Sequence, residues 1–136
     1  MKVVQIDNWQ DYQRDGEQFL RTANRAFEKR KKTFSPATLY NITCMAIEKL
    51  TMAFLMKNGD LAENHTMGDL QYALQRHLQN MEDLVEDFHY LDSFQEICDL
   101  ETYTIRLPSH DDTVRILNTG NKVLRILKPH LDERSG

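Results

Sequence analysis

The segment from Ser35 to Gly59, SPATLYNITCMAIEKLTMAFLMKNG, constrains the fold of this chain more than any other part of the sequence. Ser35 is a favourable N-cap, and Pro36 suits the first helical position. Asn58 and Gly59 favour the left-handed backbone conformation that ends a helix. These signals delimit a helix of 22 residues, of which 14 are apolar and spread around most of the circumference. Because few of its side chains are polar enough to face solvent, we expect this helix to lie at the centre of a helical bundle.

Cap residues and apolar spacing predict further helices on both sides of this segment. A first helix is expected from about Trp9 to Lys31, where apolar residues recur at three- and four-residue spacing. Periodicity leaves open whether residues 66–91 form one helix or two, broken near Asn80. Pro129 is expected to stop the last helix. Three capping boxes, each a serine or threonine with an acid three residues later, mark helix starts: Thr66 with Asp69, Ser93 with Glu96, and Ser109 with Asp112.

Length and composition favour a single all-α domain over residues 1–136. Five glycines and three prolines are few for a many-stranded fold, and 136 residues suffice for one hydrophobic core. The sequence therefore predicts an up-and-down-like bundle of about five helices. The chain start is too polar for a signal peptide or membrane span, and Glu48-Lys49 interrupts the apolar central helix. We expect a cytoplasmic protein that does not enter a membrane.

Charge is segregated along the chain, although the formal net charge is only −4. Residues 21–32 carry six basic residues and one acid, whereas residues 79–105 carry eight acids and no Lys or Arg. The basic run suits a helix C-terminus, where cations offset the macrodipole. It also suits a patch that binds phosphate groups of nucleic acid. The candidates for such contacts are Arg25, Arg30, Lys31 and Lys32.

No metal or cofactor site is predicted. Cys44 and Cys98 lie far apart among apolar neighbours, without a CxxC spacing, and are typical of buried thiols in a reducing compartment. In its apolar helix, Cys44 is expected to stay a neutral thiol. Glu86 and His89 have the spacing of a di-iron bundle ligand pair, but such sites need two of these motifs and two further Glu residues.

Three short motifs occur in an order that resembles the HEPN domain family. AIEKLTMAFLMKNG contains Glu48 and Lys49, HTMGDL contains His65 and Asp69, and YTIRLP runs from Tyr103 to Pro108. They are similar to that family's A-x-E-K-x-x-K-A-x-L, H-D-L and Y-x-x-R-Y-P signatures, and together they span about residues 33–131. The resemblance implies a bundle of four or five helices that often forms homodimers and associates with nucleotides or RNA.

The resemblance also implies two possible kinds of activity. Some relatives are metal-independent endoribonucleases, often toxins paired with a nucleotidyltransferase-fold protein, and others are noncatalytic partner modules. Catalytic relatives carry an Arg and, after four to six residues, a His near the start of the last helix. Here Arg106 and His110 are separated by three residues. In such a pair the imidazole deprotonates the 2′-hydroxyl and the guanidinium stabilises the charge on the phosphate.

A structural interpretation of the same residues stays open. Asp111 and Asp112 follow His110 directly and would repel a phosphate, whereas acids in the first turn stabilise a helix. The sequence predicts a binding or toxin-type partner module, homodimeric, with a nucleotidyltransferase-fold protein and nucleotide or RNA as expected partners. The alternatives are an endoribonuclease that uses Arg106 and His110, and a structural helical adaptor without nucleotide contact.

Overall fold

The structure is a computed structural model. It describes residues 8–30, 33–62, 64, 66–79, 81–94 and 107–132. These ranges contain no strand, so the predicted all-α class is confirmed for them. No helix within them is long and apolar enough to cross a membrane. The helices are α1 (Trp9–Glu28), α2 (Pro36–Lys57), α3 (Met67–Gln75), α4 (Glu82–Asp92) and α5 (His110–Asp132).

Helix α2 lies at the centre of the bundle, as its apolar circumference predicts. It packs against α1, α3 and α5, most extensively against α1. Every residue from 50 to 56 is buried. The predicted caps are confirmed, since the Thr38 N–H donates to Ser35 Oγ at 3.1 Å and Gly59 adopts a φ of 73°.

Two apolar clusters make up the core. The larger one contains residues of α2, α3, α4 and α5, including the fully buried Ile47, Phe88 and Ile116. The smaller one lies where α1, α2 and α5 meet, and Phe27 and Phe34 pack partly buried against it. Its buried members are Ala23, Ala26, Leu39 and Leu117.

Helix α1 ends at Glu28, so the prediction that it continues to Lys31 was wrong. Arg30 has a φ of 49°, a left-handed conformation that cannot continue a right-handed helix. The Arg30 N–H donates to the carbonyl of Phe27 at 3.1 Å and closes the turn. Arg30 is therefore on the connection between α1 and α2, while Lys31 and Lys32 lie outside the described residues.

Residues 66–91 form two helices, α3 and α4, which pack against each other. The predicted Thr66 cap is confirmed, since Thr66 Oγ1 accepts from the Asp69 N–H at 3.1 Å. A second cap comes from the last residue of α4. The carboxylate of Asp92 accepts from the N–H groups of Met67 at 3.1 Å and Gly68 at 2.9 Å.

Replacing Asp92 by alanine should lower the free energy of unfolding by about 1 kcal/mol, the typical value of a lost helix cap. The Met67 and Gly68 N–H groups would lose their carboxylate partner at the positive end of α3. Urea unfolding followed by circular dichroism measures the change. Glu86→Ala, at an exposed site within α4, is the matched control and should change stability by less than about 0.5 kcal/mol.

Helix α5 continues through Pro129 to Asp132, so the prediction that this proline stops the helix was wrong. Leu131 is buried, and its packing holds the last turn in place. The ammonium group of Lys57 donates to the carbonyls of His130 at 2.5 Å and Leu131 at 3.1 Å. The start predicted at Ser93 with Glu96 falls largely outside the described residues, which resume at Leu107.

Candidate functional site

The start of α5 is held by the predicted capping box. Ser109 Oγ accepts from the Asp112 N–H at 3.1 Å, and Asp112 Oδ2 accepts from the Ser109 N–H at 2.9 Å. The Tyr90 hydroxyl of α4 also donates to the Asp112 carboxylate. Asp112 therefore stabilises the helix start and its attachment to α4, as the structural interpretation of this acid predicts.

His110 takes no part in that cap. Its side chain is exposed, and its ring stacks on Phe27 of α1 with the centroids 5.5 Å apart and the planes inclined by 28°. The contact brings the first residue of α5 against the last turn of α1. The imidazole is thus oriented by an aromatic ring and remains open to a ligand.

His110 lines a cleft of about 870 Å³ where the end of α1 and the starts of α2 and α5 meet. This volume lies within the range of small-molecule sites, about 300–1,000 Å³. Ala26 and Leu39 of the smaller apolar cluster also line the cleft. The polar and aromatic side chains around it are Phe27, Glu28, Arg30, Phe34, His110 and Thr113.

Positively charged groups border the cleft. Pro36 and His110, the first residues of α2 and α5, both line it, so two helix N-termini with positive partial charge lie at the same space. Asp111 and Asp112 in the first turn of α5 offset part of this charge. Arg30 adds a guanidinium. Glu28 also lines the cleft, but within the described residues it forms no ion pair with Arg30 or with any other cation.

The structure thus places Arg30 and His110 in one cleft, which sequence spacing did not suggest. Arg25 is exposed in the last turn of α1 and is not among the cleft residues. Lys31, Lys32 and Arg106 lie outside the described residues, so the predicted Arg106–His110 pair stays a prediction. No local signal pairs Arg30 with His110, because their proximity follows from the packing of α1 beside α5.

The described residues of the family-like motifs are not among those that line the cleft. Glu48 and Lys49 are partly buried on α2, and the Lys49 ammonium lies 4.5 Å from the centroid of the Tyr12 ring. Asp69 belongs to the α3 cap, and Pro108 is buried just before α5. His65 and Tyr103 are outside the described residues.

A second groove, of about 440 Å³, runs along the other side of α5 beside α4. Its charged groups largely pair with each other. Asp87 bonds Lys122 at 3.1 Å and lies 3.7 Å from Arg115, whose guanidinium covers the Tyr90 ring at 3.8 Å. These contacts leave fewer groups for a ligand than the first cleft offers. No cluster of three metal-ligating side chains occurs in the part of the chain that the structure describes.

Cys44 has the properties of a core residue rather than a nucleophile. Desolvation by burial raises the pKa of its thiol from the ordinary 9.0 to about 12. In the Cys98→Ser variant, native Cys44 should therefore resist Ellman's reagent at about pH 8 and react rapidly after unfolding in urea. Rapid reaction of the native protein would contradict this expectation.

The same pKa difference makes stability depend on pH. The unfolded thiol ionises above about pH 9, while the folded thiol stays protonated to about pH 12. The contribution of Cys44 to the free energy of unfolding is therefore fully present below about pH 9, and it is lost as the pH rises towards 12. Cys44→Ala should flatten the fall in urea midpoint over this window, when both variants are compared in the Cys98→Ser background.

Comparisons with known proteins bear on the fold. No family model matches the sequence, and a search of curated proteins finds no match. The crystal structure of TT1696 from Thermus thermophilus superposes with a TM-score of 0.69 at 19% identity, covering 90% of this chain and 98% of that one. ST0689, an archaeal HEPN homologue, gives a TM-score of 0.67 at 17% identity, covering 97% of this chain and 100% of its own. This chain therefore has the HEPN-like, all-α fold that its motifs resemble.

Proposed function

We propose that this chain is a nucleotide- or RNA-binding module whose ligand occupies the cleft between α1, α2 and α5. The observation that carries the proposal is the convergence of Arg30, His110 and two phenylalanine side chains on one open cleft of suitable volume. These groups come from α1, from the connection between α1 and α2, and from α5. Arg30 and His110 suit the phosphate of a nucleotide, and the phenylalanines suit its base.

The phosphate is assigned to the side of the cleft where positive groups meet. Arg30 can donate two parallel hydrogen bonds to phosphate oxygens, and the starts of α2 and α5 add the positive ends of their dipoles. His110 adds a ring N–H that can donate a hydrogen bond to a phosphate oxygen. These contacts are independent of sequence, so they position a ligand without selecting among bases.

The base is assigned to the aromatic side. Phe27 and Phe34 line the cleft and are partly buried, which fixes their rings at little entropic cost on binding. Stacking of a base on an aromatic side chain contributes about 1–3 kcal/mol. A base held in this way is unpaired, since a base within a duplex already stacks on its neighbours.

Binding of a short RNA to the wild type and to Arg30→Gln tests this proposal. Loss of a charge-assisted contact should weaken binding about 10-fold at low salt. His110→Asn should also weaken binding, because it removes the imidazole that lines the cleft. Fluorescence polarisation with a labelled oligonucleotide measures both variants.

Arg14→Gln is the matched control, because it removes an exposed arginine near the other end of α1, where Arg14 contacts Asp11. It should leave affinity nearly unchanged. If the wild type binds neither oligonucleotide nor mononucleotide at low salt, the binding proposal fails and the structural adaptor is favoured.

A second candidate, a metal-independent endoribonuclease, is supported by the exposure of His110 and by the presence of Arg30 in the same cleft. The imidazole would accept the proton of a 2′-hydroxyl, and the guanidinium would stabilise charge on the attacked phosphate. RNA cleavage in EDTA should then depend on His110. Equal background from wild type and His110→Ala would contradict the enzyme.

The family resemblance further supports a homodimer, in the cytoplasm, that pairs with a nucleotidyltransferase-fold protein as in toxin–antitoxin systems. Leu107 and Val114 are exposed apolar residues on either side of the α5 start, 68% and 37% accessible. We assign contact with a second copy to this surface. Sedimentation equilibrium should show a dimer that Leu107→Ser with Val114→Ser weakens; a monomeric wild type would contradict the assignment.

A further inference from the structure

Glu28 is the acidic side chain among the described residues that line the cleft. It is exposed, and within the described part of the chain it forms neither a side-chain hydrogen bond nor an ion pair. Arg30 lines the same cleft, yet the two opposite charges do not pair with each other. Each therefore stays available to a different part of a ligand.

Helix stability does not explain an acid at this position. Glu28 is the last residue of α1, and the C-terminus of a helix carries partial negative charge that disfavours a carboxylate. A carboxylate also repels the phosphate that the rest of the cleft attracts. It can instead accept hydrogen bonds from a ligand group that donates them.

The position of Glu28 indicates which group that is. It lines the same cleft as Phe27 and Phe34, where the base is assigned, so its carboxylate can meet the edge of a base stacked there. An ionised carboxylate only accepts hydrogen bonds, and two parallel bonds are the strongest arrangement for it. Guanine presents two adjacent donors, N1–H and the N2 amino group. Adenine presents one amino group beside an acceptor, and uracil one N–H between two carbonyls.

We propose that Glu28 is a specificity-determining residue of the cleft and that it selects an unpaired guanine nucleotide. This inference rests on the proposed nucleotide-binding function. In this arrangement the base stacks on the phenylalanine side, its Watson–Crick edge meets Glu28, and its phosphate meets Arg30 and the helix N-termini. Phosphate contacts supply affinity, and the single carboxylate supplies the choice of base.

Equilibrium dialysis of the full chain with four nucleoside 5′-monophosphates tests the inference. The guanosine compound should bind about 10-fold more tightly than those of adenosine and uridine, the effect of one good bidentate contact. The inosine compound, which keeps N1–H but lacks the 2-amino group, should lie between them. A base-independent affinity, or a preference for adenosine, would overturn the assignment while nucleotide binding itself would stand.

Glu28→Gln keeps the size of the side chain and removes its charge. The guanosine preference should fall to less than about 3-fold, whereas adenosine monophosphate should bind as well or better, because the charge that repels its phosphate is gone. Glu82→Gln makes the same change at an exposed position of α4 outside the cleft and should keep the preference. A preference that survives in Glu28→Gln would overturn the proposal, and failure of every nucleotide to bind the wild type would remove the underlying function as well.

Discussion

Replacing Gly16 by valine should lower the free energy of unfolding by about 2–3 kcal/mol. Gly16 is buried on α1 where this helix packs against α2. A Cβ at this position would lie 2.8 Å from Leu50 Cγ and 3.2 Å from the carbonyl oxygen of Ala46. Both neighbours are completely buried in the central helix, so α1 would have to move away from α2. Gly16 lowers intrinsic helix propensity, and in exchange it permits this close approach.

Urea unfolding measures the loss of stability, and its size should depend on the side chain that is introduced. Gly16→Ala should also destabilise, but by less than the valine variant. Gln18→Val, at an exposed position of the same helix, should cost less than about 0.5 kcal/mol. At an unconstrained helical site, alanine in place of glycine stabilises by about 0.5–1 kcal/mol, so a more stable Gly16→Ala would contradict the packing argument.

Replacing Tyr90 by alanine should lower the free energy of unfolding by about 2–4 kcal/mol, because this side chain connects α4 to the start of α5. Its hydroxyl donates to the Asp112 carboxylate, and its ring lies 3.8 Å from the Arg115 guanidinium. It also contacts the Phe94 ring edge-to-face at 5.2 Å. Asp112 would keep its bond to Ser109 but lose the contact that holds the α5 start against α4.

Two further tyrosine variants separate these contributions. Tyr90→Phe removes only the hydroxyl and should cost about 1–2 kcal/mol. Tyr72→Ala removes a side chain that is 66% exposed on α3 and should change stability by less than about 0.5 kcal/mol. Equal stability of Tyr90→Ala and the wild type would show that α4 does not depend on this residue to hold α5.

Helix starts were the features most accurately predicted from sequence. Ser35, Thr66 and Ser109 each cap the helix for which they were predicted, and α2 has the expected bounds. A cap is a local structure, because the side-chain oxygen bonds an N–H only three residues away. The residues that decide it are therefore adjacent in the sequence.

Helix ends were predicted less well, because contacts from distant residues decided them. Pro129 removes one backbone donor from α5, but the burial of Leu131 and the bonds from Lys57 hold the last turn. The chain turns away from α1 at Arg30, which has a left-handed conformation. The spacing of apolar residues does not predict this conformation. The second cap of α3 comes from Asp92, which belongs to another helix.

The sequence by itself determined the all-α class, the central position of α2 and the capped start of α5 that places His110 in a first turn. It also carried the motifs that resemble a HEPN domain. Only the tertiary structure decided that His110 faces Phe27 and shares a cleft with Glu28 and Arg30. The physical reason is the distance along the chain between the residues that interact. Periodicity and caps depend on residues within about one helical turn, whereas the cleft depends on which helices pack together.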